Sequence, residues 1–275
     1  MAQYGKKDYW DERYKSDEEH FEWYQRFSGI EHIISKYIKR SDRILVAGCG
    51  NSSKLMSYLC ELNLSFCAFN SYFHYKSFVL KGMSRALYDD GYENITNIDF
   101  SEVVINQMSL FEPKLHWEVM DVKDLAYEDG SFDVVIAKGT LDAVLCAGLQ
   151  DGKRMIEEVD RVLSDGGIFV PISFGLPEKR MELFDPGSLG WQTKVHSVAK
   201  PSIENNTVDS KGGFHYVYVC KKGGKEDDDD IVKKECSDDI VKKEECSFSD
   251  DQLSKSTLIK KKTKTENPPH DEAPA

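Results

Sequence analysis

The chain has 275 residues and a mass of 31.4 kDa, enough for one large domain or for a domain followed by a tail. No stretch approaches the roughly 18–20 uninterrupted apolar residues of a membrane span, which argues against an integral membrane protein. The net charge of −12 argues against nucleic acid as the main partner, because phosphate binding needs a basic surface. An acidic protein of this kind would instead attract a basic protein substrate.

The two ends of the sequence and its cysteines suggest a compartment. The N-terminal stretch lacks the apolar run of a secretory signal and is too acidic for a typical transit peptide, so a cytoplasmic location is expected. The seven cysteines are odd in number and contain no CxxC pair. They indicate free thiols in a reducing compartment, and no metal site is predicted.

The composition changes near Gly223. Residues 1–222 alternate between apolar and polar stretches, whereas 223–275 are strongly charged and contain no Trp or Tyr. Within the second part, DDIVKKECS at 229–237 recurs as DDIVKKEECS at 238–247. Such a segment cannot bury enough apolar area to offset its ordering entropy, which predicts a folded domain over 1–222 and a disordered tail over 223–275. A tail that docks onto partners stays an open alternative.

The folded part predicts a doubly wound α/β domain, because short buried strands alternate with helices. Met155, Ile156, Val159 and Val162 have helical spacing, and the glycines of 164–167 are expected to end that helix. The last two strands form an antiparallel addition to an otherwise parallel sheet. The predicted strands are 43–47, 95–99, 115–119, 132–137, 167–173, 191–197 and 214–220.

Three consecutive strand ends carry residues suited to a nucleoside. The turn 48–52 (GCGNS) directly follows the first strand, where glycines let a ligand approach the main chain. Asp99 ends the second strand, in the position that accepts hydrogen bonds from ribose hydroxyls. Asp121 follows the third strand and can accept from an adenine amino group, with Met120 and Val122 beside the ring. The alternative is that Asp99 and Asp121 only cap the next helices.

Ser53 stands where a dinucleotide-binding turn usually has its third glycine. That glycine allows close packing between helix and strand in dehydrogenases. Its absence favours an adenosine-containing ligand without a pyrophosphate.

Five motifs together resemble one family. They are YWDERY (9–14), ILVAGCGNS (44–52), NIDFS (97–101), MDV (120–122) and FDVVIAKGTLDA (132–143). With them the chain resembles the class I S-adenosylmethionine-dependent methyltransferases over about residues 5–222. More narrowly, it resembles the methyltransferase-like group that methylates lysine on translation elongation factor 1-alpha, in the branch of elongation factor 1-alpha lysine methyltransferase 4.

The resemblance implies a Rossmann-like, mainly parallel seven-stranded sheet, S-adenosyl-L-methionine as cofactor and elongation factor 1-alpha as protein substrate. It also implies a cofactor site. Its expected parts are Trp10, Tyr14 and Trp23 as a cover, Gly48 and Gly50 at the methionine moiety, Asp99 at the ribose, Phe100 beside the adenine, Asp121 and Val122 at the adenine edge, and Lys138 where cofactor and substrate meet. Packing of an N-terminal helix is the alternative for Trp10 and Trp23, and a solvated loop is the alternative for Lys138.

The acceptor chemistry points to one further residue. A lysine nucleophile must lose its proton, and with a free pKa near 10.4 only about one in 10³ to 10⁴ is neutral at pH 7. A dry channel lowers that pKa, and aromatic walls suit an alkylammonium. Asp142, just past the fourth strand, is the candidate for contacting the incoming amine. Its alternative role is to cap the next helix.

One interval departs from the expected pattern. Gly50 and Asp99 lie 49 residues apart, whereas about 20 are usual between these positions. The surplus is assigned to an aromatic-rich insertion at about 58–84, which interrupts the helix after the glycine turn. It is either an extra exon or unspliced intron in a gene model, or a real insertion that forms an added helix pair.

Other functions therefore stay open beside protein-lysine methylation. They are a small-molecule methyltransferase, another Rossmann-type nucleotide-binding enzyme, and a catalytically inactive isoform that acts as a binding module.

Overall fold

The structure is a computed structural model that describes residues 3–16, 22–51, 82–184, 189–201 and 213–223. Most of the expected insertion and all but the first residue of the expected tail lie outside these ranges. The domain boundary and the insertion therefore stay predictions.

The described strands form one seven-stranded sheet in the order β3-β2-β1-β4-β5-β7-β6. β1 to β5 are mutually parallel, and β7 and β6 are antiparallel additions. This confirms the predicted doubly wound, mainly parallel fold. The strands are β1 (Ile44–Ala47), β2 (Ile95–Asp99), β3 (His116–Val119), β4 (Phe132–Lys138), β5 (Leu163–Ser173), β6 (Gln192–Ala199) and β7 (Phe214–Lys221).

Seven described helices surround the sheet. They are α1 (Lys7–Ser16), α2 (Phe27–Ile34), α3 (Met83–Asp89), α4 (Glu102–Phe111), α5 (Thr140–Leu145), α6 (Leu149–Val162) and α7 (Pro177–Phe184). None of these described helices is long and apolar enough to cross a membrane.

The central strands are buried on both faces because successive side chains of a strand point to opposite sides. In β1, Ile44 and Val46 pack in the core shared with α2 and α3. Leu45 and Ala47 pack in the core shared with α5, α6 and α7. The sheet is therefore the middle of three layers, and β1 reads as a continuous apolar run.

The boundary between α6 and β5 differs from the prediction. The helix ends at Val162, and Leu163 is already extended with φ −74° and ψ 133°. The expected glycine stop at 164–167 was therefore wrong. Gly166, with φ +74°, lies inside β5, where the register with β4 shifts. A glycine with positive φ suits a helix end and a strand bulge equally well, so the sequence did not distinguish them.

Pro171 lies in the middle of the sheet, opposite Ala137 of β4. On the other side of β5, the ladder with β7 continues past it, with Phe169 opposite Cys220 and Ile172 opposite Val217. The missing N–H of proline thus removes one donor without ending the strand.

The parallel strands give the sheet two functionally different edges. We call the edge at which β1 to β5 end the carboxyl edge, and the opposite one the amino edge. In doubly wound sheets, ligands bind outside the carboxyl ends of the strands. The glycine turn, Asp99, Asp121 and Lys138 all lie at or just beyond this edge.

Candidate active site

The glycine turn after β1 is held against β2. The backbone N–H groups of Gly48 and Cys49 both donate to the carbonyl of Ile98, at 2.8 and 3.0 Å. Gly48 and Gly50 have φ values of +68° and +59°, which side-chain-bearing residues rarely adopt. A Cβ at position 48 would also overlap the side chain of Thr140. The turn therefore requires glycine for conformation and for close packing.

Asp99 lies buried at the end of β2, beside this turn. One carboxylate oxygen accepts from the N–H of Gly50 at 3.2 Å, and the other accepts from the N–H of Ser101 at 3.0 Å. Burial raises the pKa of Asp99 to about 6. Ser101 directly precedes α4, so the helix-capping alternative is met in part, together with a contact to the glycine turn.

This carboxylate suits the ribose of an adenosine ligand. A carboxylate can accept about four hydrogen bonds, and the described residues supply two. The remaining capacity faces no described donor and matches the two hydroxyl groups of a ribose. The Asp99 carboxylate beside the glycine turn therefore fits S-adenosylmethionine.

The end of β3 lies next to Asp99, since the N–H of Met120 donates to the Asp99 carbonyl at 3.0 Å. Asp121 is partly exposed, and one of its carboxylate oxygens accepts from the N–H of Lys123 at 3.0 Å. Val122 is buried in the core, and Phe100 is half-buried after Asp99. The predicted ribose and adenine residues are thus neighbours.

Helix α1 docks across α4 at the same edge. Its Tyr14 is buried against Val104 and Met108, and the Tyr14 carbonyl accepts from the side chain of Gln107 at 3.1 Å. A Cβ at Gly50 would lie 3.6 Å from the Tyr14 hydroxyl oxygen. Tyr14 therefore reaches the glycine turn, as expected for part of a cover.

Trp10 and Trp23 come together although the sequence separates them. Their ring centroids are 6.0 Å apart. The Arg13 guanidinium lies 5.8 Å from the centroid of Trp10 and 5.3 Å from that of Trp23, within the range of a cation–π contact. These contacts join α1 to the segment that follows it. They are the packing that the alternative expected, and the role of the two rings as a cover stays a prediction.

Lys138 ends β4 and is not a solvated loop lysine, because only 9% of its side chain is exposed. Its ammonium donates to the carbonyls of Trp23 at 3.1 Å and Gln25 at 3.4 Å, and it pairs with Glu22. Burial lowers the pKa of Lys138 to about 7. The residue fastens segment 22–25 to the carboxyl edge.

Asp142 lies buried in the first turn of α5. Its carboxylate accepts from the Tyr24 hydroxyl at 2.8 Å, the Phe174 N–H at 3.2 Å, the Ser173 hydroxyl and the Arg180 guanidinium at 2.7 Å. All four donors lie outside α5. The carboxylate therefore links three parts of the chain rather than its own helix.

Sequence reasoning missed Tyr24, Ser173, Arg180 and Glu22. No spacing signal connects them, because each is an ordinary polar residue in its local sequence. The described residues contain no group of three or more His, Cys, Asp or Glu side chains that could hold a metal ion.

Comparisons with known proteins agree with this geometry. Residues 80–170 match the family model of a methyltransferase domain. EEF1A lysine methyltransferase 4 of Mus musculus is 30% identical over 236 residues, covering 80% of this chain and 77% of that protein. The chain belongs to the class I S-adenosylmethionine-dependent methyltransferases. The resemblance seen in the motifs is thereby confirmed.

A second relative of this methyltransferase is longer. The eEF1A lysine and N-terminal methyltransferase of Homo sapiens is 35% identical over 209 residues, covering 72% of this chain. The chain spans about a quarter of that relative's length, since the match covers 26% of it.

Solved structures show the same fold. A chain in the Haloferax volcanii complex between the Trm112 methyltransferase activator and a methyltransferase superposes with a TM-score of 0.52. The match has 16% sequence identity and covers 82% of this chain and 99% of that chain. At this identity the likeness concerns the fold alone. S-adenosylmethionine is the cofactor of this methyltransferase, in line with its family and with the chemistry around Asp99.

Proposed function

We propose that this methyltransferase is a protein-lysine N-methyltransferase that acts on translation elongation factor 1-alpha in the cytoplasm. The observation that carries the proposal is the similarity, over 80% of the chain, to a protein named EEF1A lysine methyltransferase 4. The net charge of −12 supports it, because an acidic enzyme attracts a basic protein substrate.

The cofactor site in this proposal uses the strand ends in order. Gly48 and Gly50 lie against the methionine moiety, Asp99 holds the ribose, and Asp121 accepts from the adenine amino group. When bound, S-adenosylmethionine supplies a methyl group on a sulfonium, and the protein aligns and desolvates the acceptor. Phe100 and Val122 flank the adenine, while Trp10, Tyr14 and Trp23 cover the cofactor. Lys138 holds the end of that cover.

Asp142 serves the acceptor through Tyr24 in this proposal. The Tyr24 hydroxyl donates its hydrogen to Asp142, so its oxygen can accept a hydrogen bond from an incoming amine. Burial, together with the Asp142 charge, raises the pKa of Tyr24, which keeps the phenol neutral. The aromatic residues around the incoming lysine are half-buried. Such surroundings disfavour the charged ammonium form of that lysine and so favour its neutral, nucleophilic form.

The test is methyl transfer by the full chain to purified elongation factor 1-alpha, followed by mass spectrometry of the modified residue. Wild-type protein is expected to add methyl groups to a lysine, and Asp99→Ala is expected to reduce both S-adenosylhomocysteine affinity and turnover. Cofactor binding with methylation only of a metabolite extract would indicate a small-molecule methyltransferase instead. A folded chain without affinity for S-adenosylhomocysteine would indicate a non-enzymatic binding module.

A second candidate is methylation of an N-terminal amine. It is favoured by the 35% identity to relatives named eEF1A lysine and N-terminal methyltransferase. Both acceptors are amines that must lose a proton, so the site chemistry above serves either. The same mass spectrometry decides between them by locating the methyl group on a side chain or on the first residue.

A further inference from the structure

Arg180 reaches from α7 back to the carboxyl edge of the sheet. Its guanidinium donates to Asp142 at 2.7 Å and to the Ser173 hydroxyl at 3.1 Å, and both Arg180 and Asp142 are nearly buried. The guanidinium passes directly over Gly175, where a Cβ would overlap it. The arginine is therefore held in one orientation by its partners and by the backbone beneath it.

Through Asp142, Arg180 is connected to two aromatic residues from distant parts of the chain. Asp142 accepts from the Tyr24 hydroxyl at 2.8 Å and from the Phe174 N–H at 3.2 Å. The rings of Tyr24 and Phe174 have centroids 6.2 Å apart. We call these two residues the aromatic pair.

Tyr24 needs such a restraint. Its φ of +61° makes it the single non-glycine residue with a positive φ among the described residues. A backbone of this kind costs free energy and persists where the surroundings hold it. Unusual backbone geometry of this sort tends to occur at functional sites, which directs attention to what Tyr24 contacts.

Neighbouring contacts attach the same segment independently. Gln25 donates to the carbonyl of Ala199 at 2.7 Å, and Lys138 donates to the carbonyl of Trp23 at 3.1 Å. Loss of Arg180 should therefore leave segment 22–25 attached and, within that segment, free only the ring of Tyr24. The effect of Arg180 is separable from docking of the N-terminal segment.

The aromatic pair occupies the half of the carboxyl edge that the cofactor residues leave open. Gly48, Asp99 and Asp121 lie at the ends of β1, β2 and β3, on one side of β4. Asp142 and Phe174 follow β4 and β5, on the other side. An in-line displacement brings the acceptor to the methyl group from beyond the cofactor, and so from this second half.

We propose that Arg180 is a positioning residue for the methyl acceptor: by holding Asp142 it fixes the aromatic pair that borders the path of the acceptor amine. The inference rests on the proposed function in taking an amine as acceptor. Arg180 does not touch the reacting atoms. Its contribution is the orientation of the Tyr24 hydroxyl and the Phe174 ring.

The first experiment compares Arg180→Met, Arg180→Lys and Gly175→Ala with the matched control Arg43→Met, whose arginine pairs with Asp133 at the amino edge. For elongation factor 1-alpha, Arg180→Met is expected to lower kcat/KM by about 100-fold, the scale of a displaced reacting group. Affinity for S-adenosylhomocysteine should change less than about twofold, because the cofactor half is intact. Arg180→Lys should recover part of the loss through one ion pair to Asp142.

Gly175→Ala keeps every charge, and the three atoms nearest to its added Cβ all belong to the Arg180 guanidinium, so it should reproduce part of the loss. Gly175→Ala also tests the proposal if Arg180→Met fails to fold. Arg43→Met should retain wild-type kcat/KM. Wild-type kcat/KM in folded Arg180→Met and in Gly175→Ala would overturn the proposal, as would an equal loss in Arg43→Met.

A double-mutant cycle tests the route through Tyr24. Arg180→Met combined with Tyr24→Phe should be little worse in kcat/KM than Arg180→Met alone, because both remove the same orientation. Losses that multiply would show that Arg180 does not act through Tyr24 and would overturn the proposal.

Hydrogen exchange separates this inference from the proposed function. The Phe174 amide donates to Asp142, so its exchange should be about tenfold faster in Arg180→Met or Gly175→Ala and unchanged in Arg43→Met. This readout needs no acceptor. A wild-type chain that binds S-adenosylhomocysteine but leaves elongation factor 1-alpha unmodified contradicts the proposed function, while unchanged Phe174 exchange contradicts the positioning role.

Discussion

The two edges of the sheet each carry an arginine–aspartate pair, and the two pairs differ in burial. At the amino edge, Arg43 and Asp133 are 2.8 Å apart, with 50% and 33% of their side chains exposed. At the carboxyl edge, Arg180 and Asp142 are 2.7 Å apart, with 12% and 1% exposed. The distances are alike, so the difference lies in the surroundings.

Because of this difference in burial, the two ion pairs contribute differently to stability. Solvent screens the Arg43–Asp133 pair, which joins the starts of neighbouring strands and contributes little free energy. The Arg180–Asp142 pair lies away from water, where one partner without the other is costly. The buried polar residues Asp99, Asp142 and Ser173 lie at the carboxyl edge, where elements from distant parts of the chain converge.

The largest expected contrast is removal of the aspartate from each pair. Asp142→Ala leaves the Arg180 guanidinium buried without its carboxylate and should lower the free energy of unfolding by about 3–5 kcal/mol. Asp133→Ala should cost about 1 kcal/mol, because Arg43 stays solvated. Urea unfolding of both variants measures the difference. Equal costs would mean that burial does not distinguish the two edges.

A pair of glycines extends the comparison to the backbone. Gly48 at the carboxyl edge and Gly166 at the amino edge have φ values of +68° and +74°. Alanine at either position costs about 1–2 kcal/mol for the left-handed conformation. At Gly48 the added methyl group also meets Thr140, whereas no described atom lies within 4 Å of a Cβ at Gly166.

Gly48→Ala should therefore lower the free energy of unfolding by about 2–4 kcal/mol, the extra cost being the strain of overpacking. It should also abolish measurable S-adenosylhomocysteine binding. Gly166→Ala should retain binding at the wild-type affinity. Thermal unfolding measures the stability and calorimetric titration measures the affinity. A Gly48→Ala variant that binds S-adenosylhomocysteine normally would show that the turn is not part of the cofactor site.

Lowering the pH should change the stability contributions of Asp99, at the carboxyl edge, and Asp133, at the amino edge, in opposite directions. Burial raises the pKa of Asp99 to about 6, and the hydrogen bonds from Arg43 hold the pKa of Asp133 below its usual range. Ionising Asp99 opposes folding, so its contribution to stability is present below about pH 4 and is lost as the pH rises to about 6. Asp133 contributes stability above about pH 4, which is lost at lower pH.

Cofactor affinity provides the sharper test of the Asp99 pKa. The ionised carboxylate accepts from ribose hydroxyls, so S-adenosylhomocysteine affinity should fall by up to about tenfold per pH unit below about 6. Asp99→Asn should bind more weakly at pH 7 and lose this dependence, while Asp133→Asn should keep it. Titrations between pH 5 and 8 follow the change. A flat profile for the wild-type protein would contradict the assignment of Asp99 to the ribose.

Two lysines give the smallest expected contrast. Lys138 donates to the carbonyls of Trp23 and Gln25 at the carboxyl edge. Lys222 donates to the carbonyls of Asp160 and Leu163 at the amino edge. Each substitution by methionine should cost about 1 kcal/mol of stability, the value of the lost hydrogen bonds.

Only Lys138→Met should also affect the site, with S-adenosylhomocysteine affinity about threefold to tenfold weaker because segment 22–25 is less firmly attached. Calorimetric titration of the two methionine variants, side by side, checks this. Equal affinities would show that the cover does not depend on Lys138.

The local sequence pattern predicted several strands and strand ends correctly, for physical reasons. Strand β4 was predicted at 132–137 and lies at Phe132–Lys138, since an apolar run bounded by turn residues reports a buried strand. The glycine turn and Asp99 were placed together because parallel strands end at one edge. The end of α6 was wrong by contrast, because glycines at 164–167 are compatible with either a helix stop or a bulged strand.

By itself, the sequence determined the layers, the strand alternation, the cofactor edge and the family, because each depends on short periodic or contiguous patterns. Tertiary structure alone decided that Tyr24, Asp142 and Arg180 meet. These residues lie far apart in the chain: Tyr24 precedes α2, Asp142 lies in α5 and Arg180 lies in α7. They come together because the crossover connections bring strand ends and helices to one edge of the sheet. The local sequence around a buried polar residue contains no pattern that identifies its distant hydrogen-bond partner.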